Sequence, residues 1–271
     1  MNVFEENCPA AVKNQINGIL FSMQELLEND LSAVYLYGSA VEGGFFIKTS
    51  DIDLIGVVDK RLNPYKRLEI AKTMLVWNNA PCPVEISLLA KEHLKEKPPK
   101  KCQFHFSPLW VSAYRRFLDK KEATHPILTD DFKDEDIPAH LFLTRRASMT
   151  LFGPKATDVF PEITESQFIR SIYADYRDFH WKPEDLNETA YHILTLCRLF
   201  AFQETGQIMS KEKAAAYTVN RLSKKNRLMV ERALDHKYGR ADVKKFPAGA
   251  LTEFQKALVS KLDFLSGTDN K

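Results

Sequence analysis

Hydrophobic and polar positions alternate in two different ways along this chain, and the change falls near residue 136. Before that point, segments with apolar residues at helical spacing alternate with short apolar runs that are typical of strands. The predicted elements are a helix at 9–28, strands at 32–37, 51–58 and 84–89, and a helix at 63–78. This alternation predicts an α/β or α+β arrangement for the first half.

From about residue 136 onward the apolar spacing is helical throughout. The helices that it predicts are 137–151, 165–179, 186–205, 211–221 and 246–265. Gly153, Pro154 and Pro161 lie between the first two of these, and such a cluster is typical of a hinge. The sequence therefore predicts an α+β fold with two domains. Residues 1–157 form a mixed sheet with helices, and residues 158–271 form an all-α helical bundle.

Two carboxylates stand at the start of the apolar run at 51–58. Asp51 and Asp53 are two apart, so in a strand their side chains point to the same face. Burying two like charges together is costly unless a cation neutralises them. The Gly38-Ser39 turn lies just upstream, and the backbone N–H groups and hydroxyl of such a turn can hold phosphate. The pattern predicts a Mg²⁺-nucleotide site, the alternative being an exposed edge strand.

Glu85 is a third candidate carboxylate, in the run at 84–89. A lone glutamate in a strand usually faces solvent. If this strand pairs beside the aspartate strand in the same phase, however, three carboxylates share one site. Glu85 would then complete the metal site or accept a proton from an attacking hydroxyl. Two Mg²⁺ ions on these oxygens would stabilise an in-line displacement at phosphorus.

Several polar residues have both a structural and a functional interpretation. Ser39 and Ser50 fit turn or cap positions, but beside paired carboxylates they become candidate phosphate donors. Lys211 begins a predicted helix, where a cation opposes the macrodipole, so it is either a phosphate contact or a solvated lysine. Three acids of the segment 181–192 fit a helix N-terminus. The acidic run 130–136 fits the protein surface. Those three acids are Glu184, Asp185 and Glu188.

Composition narrows the class of protein. The net charge of +2 over 271 residues argues against a dedicated nucleic-acid binder, which usually shows a strong basic excess. The four cysteines are scattered without a CxxC pair, which favours free thiols in a reducing cytosol. The first ten residues do not resemble a signal peptide, and the longest apolar run, near 193–202, is too short to span a bilayer. We therefore expect a cytoplasmic protein without nucleic-acid or membrane partners.

The motif set resembles the nucleotidyltransferase superfamily, whose signature is Gly-Ser, a spacer, Asp-x-Asp and a later carboxylate. More narrowly, it resembles the aminoglycoside (3'')(9) adenylyltransferases, which modify streptomycin and spectinomycin. The segments that carry the resemblance are YLYGSAVEGGFFIKTSDIDLIGVV, VEISLL, the PPKK…QF…W stretch ending at Trp110, TLFGP, and ILTLCRLFAFQETGQIMSKEKAA. Together they cover most of the chain, and the last one points to the narrower family.

The resemblance implies an N-terminal nucleotidyltransferase domain and a helical domain that closes over ATP and the drug. Its implied Mg²⁺ ligands are Asp51, Asp53 and Glu85, with Glu85 also the catalytic base. Contacts to ATP come from Ser39, Ser50, Arg198, Lys211 and Tyr238, and contacts to the drug from Trp110, Glu184, Asp185 and Glu188. The chain departs from the family pattern at Asn187-Glu188-Thr189, where the family has Asp-Glu, and by an apparent two-residue insertion before Trp110.

The expected activity is ATP-dependent O-adenylylation of streptomycin, spectinomycin or both, with release of pyrophosphate. We expect a monomer, because a complete two-domain site needs no partner chain. One alternative keeps the chemistry and changes the acceptor to a protein or another small molecule. Another is a nucleotide-binding regulator without turnover. RNA tailing is disfavoured by the near-neutral charge.

Overall fold

The computed structural model describes residues 8–119, 132–178 and 184–262. The predicted helix ends at 179 and 263–265, together with Asp130 and Asp131, lie outside the described residues. The chain divides into two compact units, one up to Ser171 and the other from Ile172. The domain boundary predicted from sequence, between residues 157 and 158, lies upstream of this division.

The first unit is built on a mixed sheet. Its helices are α1 (Ala10–Leu27), α2 (Ser39–Glu42), α3 (Pro64–Trp77), α4 (Val111–Leu118), α5 (Ile137–Arg146) and α6 (Ala156–Val159). Its strands are β1 (Leu31–Tyr37), β2 (Ile52–Val58), β3 (Val84–Ala90), β4 (Lys101–Cys102), β5 (Phe104–Phe106), β6 (Phe132–Lys133) and β7 (Met149–Phe152). The main sheet has the order β5-β3-β2-β1-β7, with β2 and β3 parallel and the other neighbours antiparallel. Strands β4 and β6 form a separate two-stranded sheet.

One face of the main sheet forms the hydrophobic core of this unit. Leu36, Leu54 and Ile86 are register partners across β1, β2 and β3, and all three are buried. They belong to one apolar cluster with the buried stripe of α1 and with α3 residues such as Ile70. Because side chains alternate along a strand, the residues next to these three in sequence point to the opposite face. That opposite face carries the polar residues discussed below.

The predicted helix at 137–151 is wrong in its second half. Helix α5 ends at Arg146, and Met149–Phe152 forms β7, which pairs antiparallel with β1 at the edge of the sheet. A run of four residues with apolar character does not distinguish a strand from a helix by its period. The edge of β1 supplies the backbone hydrogen-bond partners, so the strand conformation is set by tertiary pairing.

The second unit consists of helices, which confirms the predicted all-α region. Its helices are α8 (Leu186–Thr205), α9 (Lys211–Val219), α10 (Lys224–Tyr238) and α11 (Ala248–Val259), preceded by α7 (Glu165–Asp178), which crosses the division. Helix α8 packs against both α9 and α10. Side chains cap three of these helices, since Asp185, Ser210 and Ser223 accept hydrogen bonds from backbone N–H groups three residues later.

The sequence reading missed α10 and extended two other helices too far. Helix α10 has few apolar residues, but Ser223 at its N-cap and Gly239 in the left-handed conformation after its last residue are ordinary helix signals. Helix α9 ends at Val219 and not at residue 221, and α11 begins at Ala248 and not at 246. Among the described residues, no helix has the length and apolar character needed to cross a membrane.

Candidate functional site

Three polar side chains form a row across the middle of the main sheet. Tyr37 on β1 is the register partner of Asp53 on β2, and Asp53 is the register partner of Glu85 on the parallel strand β3. Directly opposed residues on neighbouring strands point to the same face, with Cβ atoms about 4.5–5.5 Å apart. The structure therefore places Asp53 and Glu85 side by side, on the face opposite the hydrophobic core.

The Gly38-Ser39 turn lies against this row. Gly38 follows β1 with φ of 69°, and α2 begins at Ser39. A Cβ atom built on Gly38 would lie 2.2 Å from Oδ2 of Asp53. Only glycine combines this positive φ with such a close approach. The turn and the Asp53 carboxylate are consequently packed together, as the spacing of the sequence motif suggested.

Ser50 and Asp51 lead into β2 from the loop that follows α2. The Ser50 hydroxyl accepts a hydrogen bond of 2.9 Å from the backbone N–H of Phe46, and the Ser50 N–H donates to the Phe46 carbonyl at 2.8 Å. Ser50 is buried and closes this loop, so it has a structural function whatever else it binds. Asp51 stands immediately before the first residue of β2 and is half-buried.

The electrostatics show that more carboxylates meet here than the sequence predicted. Burial raises the pKa of Glu85 well above its ordinary value, and the negative charges of Asp53, Asp51, Asp136 and Asp134 raise it further. Asp134 and Asp136, which belong to the acidic run expected at the surface, are half-buried and close enough to Glu85 to act on its pKa. They stand between β6 and the start of α5, and Asp134 Oδ1 accepts a hydrogen bond from the Asp136 N–H at 2.9 Å.

A second polar layer surrounds the row, and it includes two histidines that no sequence motif singled out. The Tyr37 hydroxyl lies 2.6 Å from Nδ1 of His140 on α5. Burial raises the pKa of Tyr37 and lowers that of His140, so the phenol donates this hydrogen bond to a neutral imidazole. On the other side, the Ser87 hydroxyl lies 3.0 Å from Nδ1 of His105, whose pKa burial lowers to about 4. Both imidazoles are neutral neighbours of an acidic site.

The donor set suits a hard cation such as Mg²⁺, because it consists of carboxylate oxygens. Asp51, Asp53 and Glu85 are close enough for each aspartate to raise the pKa of Glu85. Within the described parts of the chain, however, no three His, Cys, Asp or Glu side chains are grouped so that they could hold a metal ion. The chemistry of the residues fits the ion, while a three-ligand coordination sphere is not preformed.

Trp110 also belongs to the first unit, on a short 3₁₀ turn that spans Pro108–Trp110. Its side chain is 40% exposed, and the neighbouring Leu109 is 83% exposed. Burial does not account for either residue, which distinguishes them from the core aromatics of β5. The pair presents an apolar surface that a ligand could cover.

In the second unit, three predicted ATP contacts cluster around the first turn of α9. Arg198 on α8 donates from Nε to the Met209 carbonyl at 3.0 Å, just before α9 begins. Lys211 is the first residue of α9. Tyr238 ends α10, and its pKa is raised by burial and then by the charge of Glu212, the second residue of α9. Residues far apart in sequence thus meet at one helix end.

The three predicted drug-binding acids lie at the start of α8. Asp185 is the N-cap residue, and its Oδ1 accepts a hydrogen bond of 3.0 Å from the Glu188 N–H. Glu184 is exposed and Glu188 is half-buried in the first turn. The structural interpretation from sequence, that acids favour a helix N-terminus, therefore accounts for Asp185 as the cap and for Glu188 in the first turn, whereas Glu184 precedes the cap residue.

The matching family and two similar proteins are adenylyltransferases named for aminoglycosides or spectinomycin. Residues 158–261 match the family described as aminoglycoside adenylyltransferase, C-terminal domain. An aminoglycoside (3'')(9) adenylyltransferase of Klebsiella pneumoniae is 26% identical over 252 residues, covering 90% of this chain and 92% of that protein. A spectinomycin 9-adenylyltransferase of Staphylococcus aureus is 25% identical over 243 residues, covering 86% and 88%.

The fold agrees with a solved structure of the same kind. The crystal structure of spectinomycin adenyltransferase AAD(9) from Enterococcus faecialis, with ATP and spectinomycin, superimposes with a TM-score of 0.76. It covers 93% of this chain and 99% of that one at 19% identity. The mixed sheet with its Gly-Ser turn and carboxylate row, followed by a helical unit, defines a nucleotidyltransferase. Within that class, the chain is similar to the aminoglycoside (3'')(9) and spectinomycin 9-adenylyltransferases over most of its length, and the family match lies in residues 158–261.

Proposed function

We propose that this protein transfers AMP from ATP to a hydroxyl group of an aminoglycoside or aminocyclitol antibiotic, either streptomycin, spectinomycin or both. The observation that carries the proposal is the register of Asp53 and Glu85 on parallel strands beside the Gly38 turn. This register aligns two carboxylates next to a turn suited to phosphate, which is what adenylyl transfer requires.

Glu85 acts in this proposal as the general base that accepts the proton of the drug hydroxyl. Burial and four like charges disfavour its ionised form in the protein alone. Asp51 and Asp53 would hold two Mg²⁺ ions, with Glu85 as the third ligand. The positive charge of these ions would favour the ionised form of Glu85. The metal would supply charge neutralisation for the phosphates and the departing pyrophosphate.

Contacts to ATP are assigned to residues of each unit. The Ser50 oxygen already accepts from the Phe46 N–H, so its own proton can be donated to a phosphate oxygen. Ser39 begins α2 beside Gly38 and offers a second hydroxyl. The cluster of Arg198, Lys211 and Tyr238 at the first turn of α9 supports their assignment to the nucleotide, since two cations and an aromatic ring suit phosphate and base.

The drug is cationic, and the proposed contacts to it are acidic and aromatic. Glu188 and Glu184 can pair with its amino groups, while Asp185 is partly occupied by its capping hydrogen bond. Trp110 offers an exposed ring for packing against the sugar or for a cation–π contact. We further propose a monomeric enzyme in the cytoplasm without a nucleic-acid or membrane partner, in keeping with the net charge of +2.

Mass spectrometry of a drug panel incubated with the enzyme, ATP and Mg²⁺ tests this proposal. The expected result is the addition of AMP to streptomycin, spectinomycin or both, with pyrophosphate released in equal amount. If neither drug is modified, the substrate assignment fails. If α-labelled ATP instead labels a protein, the acceptor is a polypeptide and the chemistry of the site stands.

A further inference from the structure

One face of α8 carries a continuous stripe of accessible side chains. From Glu188 to Phe202 the residues that are not buried are Glu188, Tyr191, Thr195 and Arg198. Their spacing of three and four residues places them on the same side of the helix. Tyr191 therefore lies between the proposed drug-binding acid and the proposed phosphate-binding arginine, although neither the motif nor the charge pattern of the sequence drew attention to it.

The aromatic ring of Tyr191 contacts Lys211. The Lys211 Nζ atom lies 4.5 Å from the centroid of the ring, within the range of a cation–π interaction. The neighbouring His192 ring meets Tyr191 edge-on, with centroids 5.1 Å apart. His192 is buried, and burial together with the charge of Lys211 lowers its pKa to about 4, so it stays neutral at pH 7. The ammonium group thus rests against an aromatic surface, and the adjacent imidazole is neutral at pH 7.

This contact compensates for an unfavourable position in the sequence. A lysine at the first position of a helix faces the positive end of the macrodipole, and its four-carbon side chain has high rotamer entropy. The Tyr191 ring stands within a helix of 20 residues and provides a fixed surface for the charge. Ordering the lysine before a ligand arrives reduces the entropy that binding would otherwise lose.

We propose that Tyr191 is a positioning residue that holds the Lys211 ammonium group against the face of α8 that also carries Arg198, ready to meet a phosphate group of ATP. The inference rests on the proposed function in so far as Lys211 contacts that phosphate. Tyr191 itself touches the lysine and not the nucleotide. Its effect is therefore expected on the affinity for ATP and not on the chemical step.

Steady-state kinetics with a matched pair of substitutions tests the proposal. Tyr191→Leu removes the π surface and is expected to raise KM for ATP about two- to fivefold, with kcat and KM for the drug unchanged. Tyr191→Phe keeps the ring and restores the lower KM. In a Lys211→Met background the leucine substitution has no further effect, because the interaction is already absent. A rise in KM for the drug in place of ATP would overturn the proposal.

Tyr217→Leu is the matched control for loss of a cation–π pair in the same unit. The Arg221 guanidinium lies 3.6 Å from the Tyr217 ring centroid, and neither residue is assigned to ATP. The control is expected to leave KM for ATP unchanged once thermal denaturation shows that the variant is folded. An equal rise in KM for both leucine variants would indicate a general structural effect and contradict the inference.

A spectroscopic test separates this inference from the proposed function. Reductive methylation with ¹³C-formaldehyde labels lysines while keeping their charge, and the Lys211 signal is the one missing from Lys211→Met. Ring current from Tyr191 should shift this signal upfield in the wild type and in Tyr191→Phe, but not in Tyr191→Leu. An unshifted Lys211 signal in the wild type would show that Lys211 does not contact the Tyr191 ring, and would overturn the proposal. If the shift is present but no drug is adenylylated, the proposed function fails and the contact stands.

Discussion

Asp53 and Glu85 are register partners on adjacent parallel strands, and the Asp53 carboxylate approaches the turn so closely that residue 38 has no room for a side chain. This relationship joins the proposed phosphate-binding turn, the proposed metal ligand and the proposed base into one rigid unit on the sheet. A site held on strands keeps its geometry better than one held on loops. It also gathers like charges that the folded protein must tolerate.

Glu85→Gln tests the role of the base. The amide has the same shape but accepts a proton poorly, so kcat should fall by about 10²- to 10⁴-fold, a larger effect than any change in ATP binding. Pyrophosphate release and calorimetric titration with ATP measure the two quantities. Glu92→Gln serves as the control, because Glu92 lies two residues beyond β3, is exposed and pairs with Arg61. Full activity in Glu85→Gln would rule out Glu85 as the base.

Gly38→Ala should impair both folding and activity. The new Cβ would meet Asp53 at 2.2 Å while holding a φ of 69°, so the carboxylate must move. We expect a loss of about 1–3 kcal/mol in the free energy of unfolding, measured with urea, and loss of adenylylation. Gly43→Ala is the matched control, since it has a φ of 77° but nothing within 4 Å. Gly43→Ala should lose stability through backbone strain but keep its activity. Equal losses of activity in the two variants would contradict the role of the Asp53 contact.

Asp53→Asn should stabilise the protein without metal while abolishing its activity. Removing one of the negative charges beside buried Glu85 relieves repulsion, and we expect a gain of about 0.5–2 kcal/mol in the free energy of unfolding. Thermal denaturation in EDTA measures this gain. Adding Mg²⁺ should stabilise the wild type more than the variant. Asp59→Asn, which removes an exposed aspartate paired with Lys91, is the control and should bring no gain.

Trp110→Ala should weaken binding of the drug and leave ATP binding unchanged. Removing an exposed aromatic ring that packs on a ligand is expected to raise KM for the drug about tenfold. Leu109→Ala removes the adjacent, still more exposed side chain and should have a much smaller effect. If the two variants lose drug affinity equally, the contact is general apolar surface and not a specific stacking position.

His192 predicts a pH dependence of stability. Burial and the charge of Lys211 lower the pKa of His192 from its ordinary value of 6.5 to about 4 in the folded protein. Between these two pH values, the unfolded chain therefore binds more protons than the folded protein. The free energy of unfolding should therefore decrease as the pH falls from about 6.5 towards 4. Urea denaturation at several pH values, compared with His192→Asn, measures the contribution. If the free energy of unfolding depends on pH in the same way in His192→Asn as in the wild type, His192 does not contribute to this dependence.

Local sequence patterns gave a reliable guide wherever short-range physics decides the structure. Helix α8 was predicted at 186–205, and the structure places it at Leu186–Thr205, because Asp185 caps its start and Gly206 adopts the left-handed conformation after its end. Similarly, the Asp-x-Asp spacing predicts that Asp51 and Asp53 lie in one site, and both are close enough to Glu85 to raise its pKa. The residue types alone therefore indicated the nucleotide chemistry.

Only the tertiary structure decided which distant segments complete the site. Residues 149–152 became a strand because the edge of β1 offered hydrogen-bond partners, and Asp134 and Asp136 joined the carboxylates because α5 begins beside the sheet. The contact of Tyr191 with Lys211 depends in the same way on the packing of α8 against α9. Such proximities between residues far apart in the chain arise from packing, and no local period or propensity encodes them.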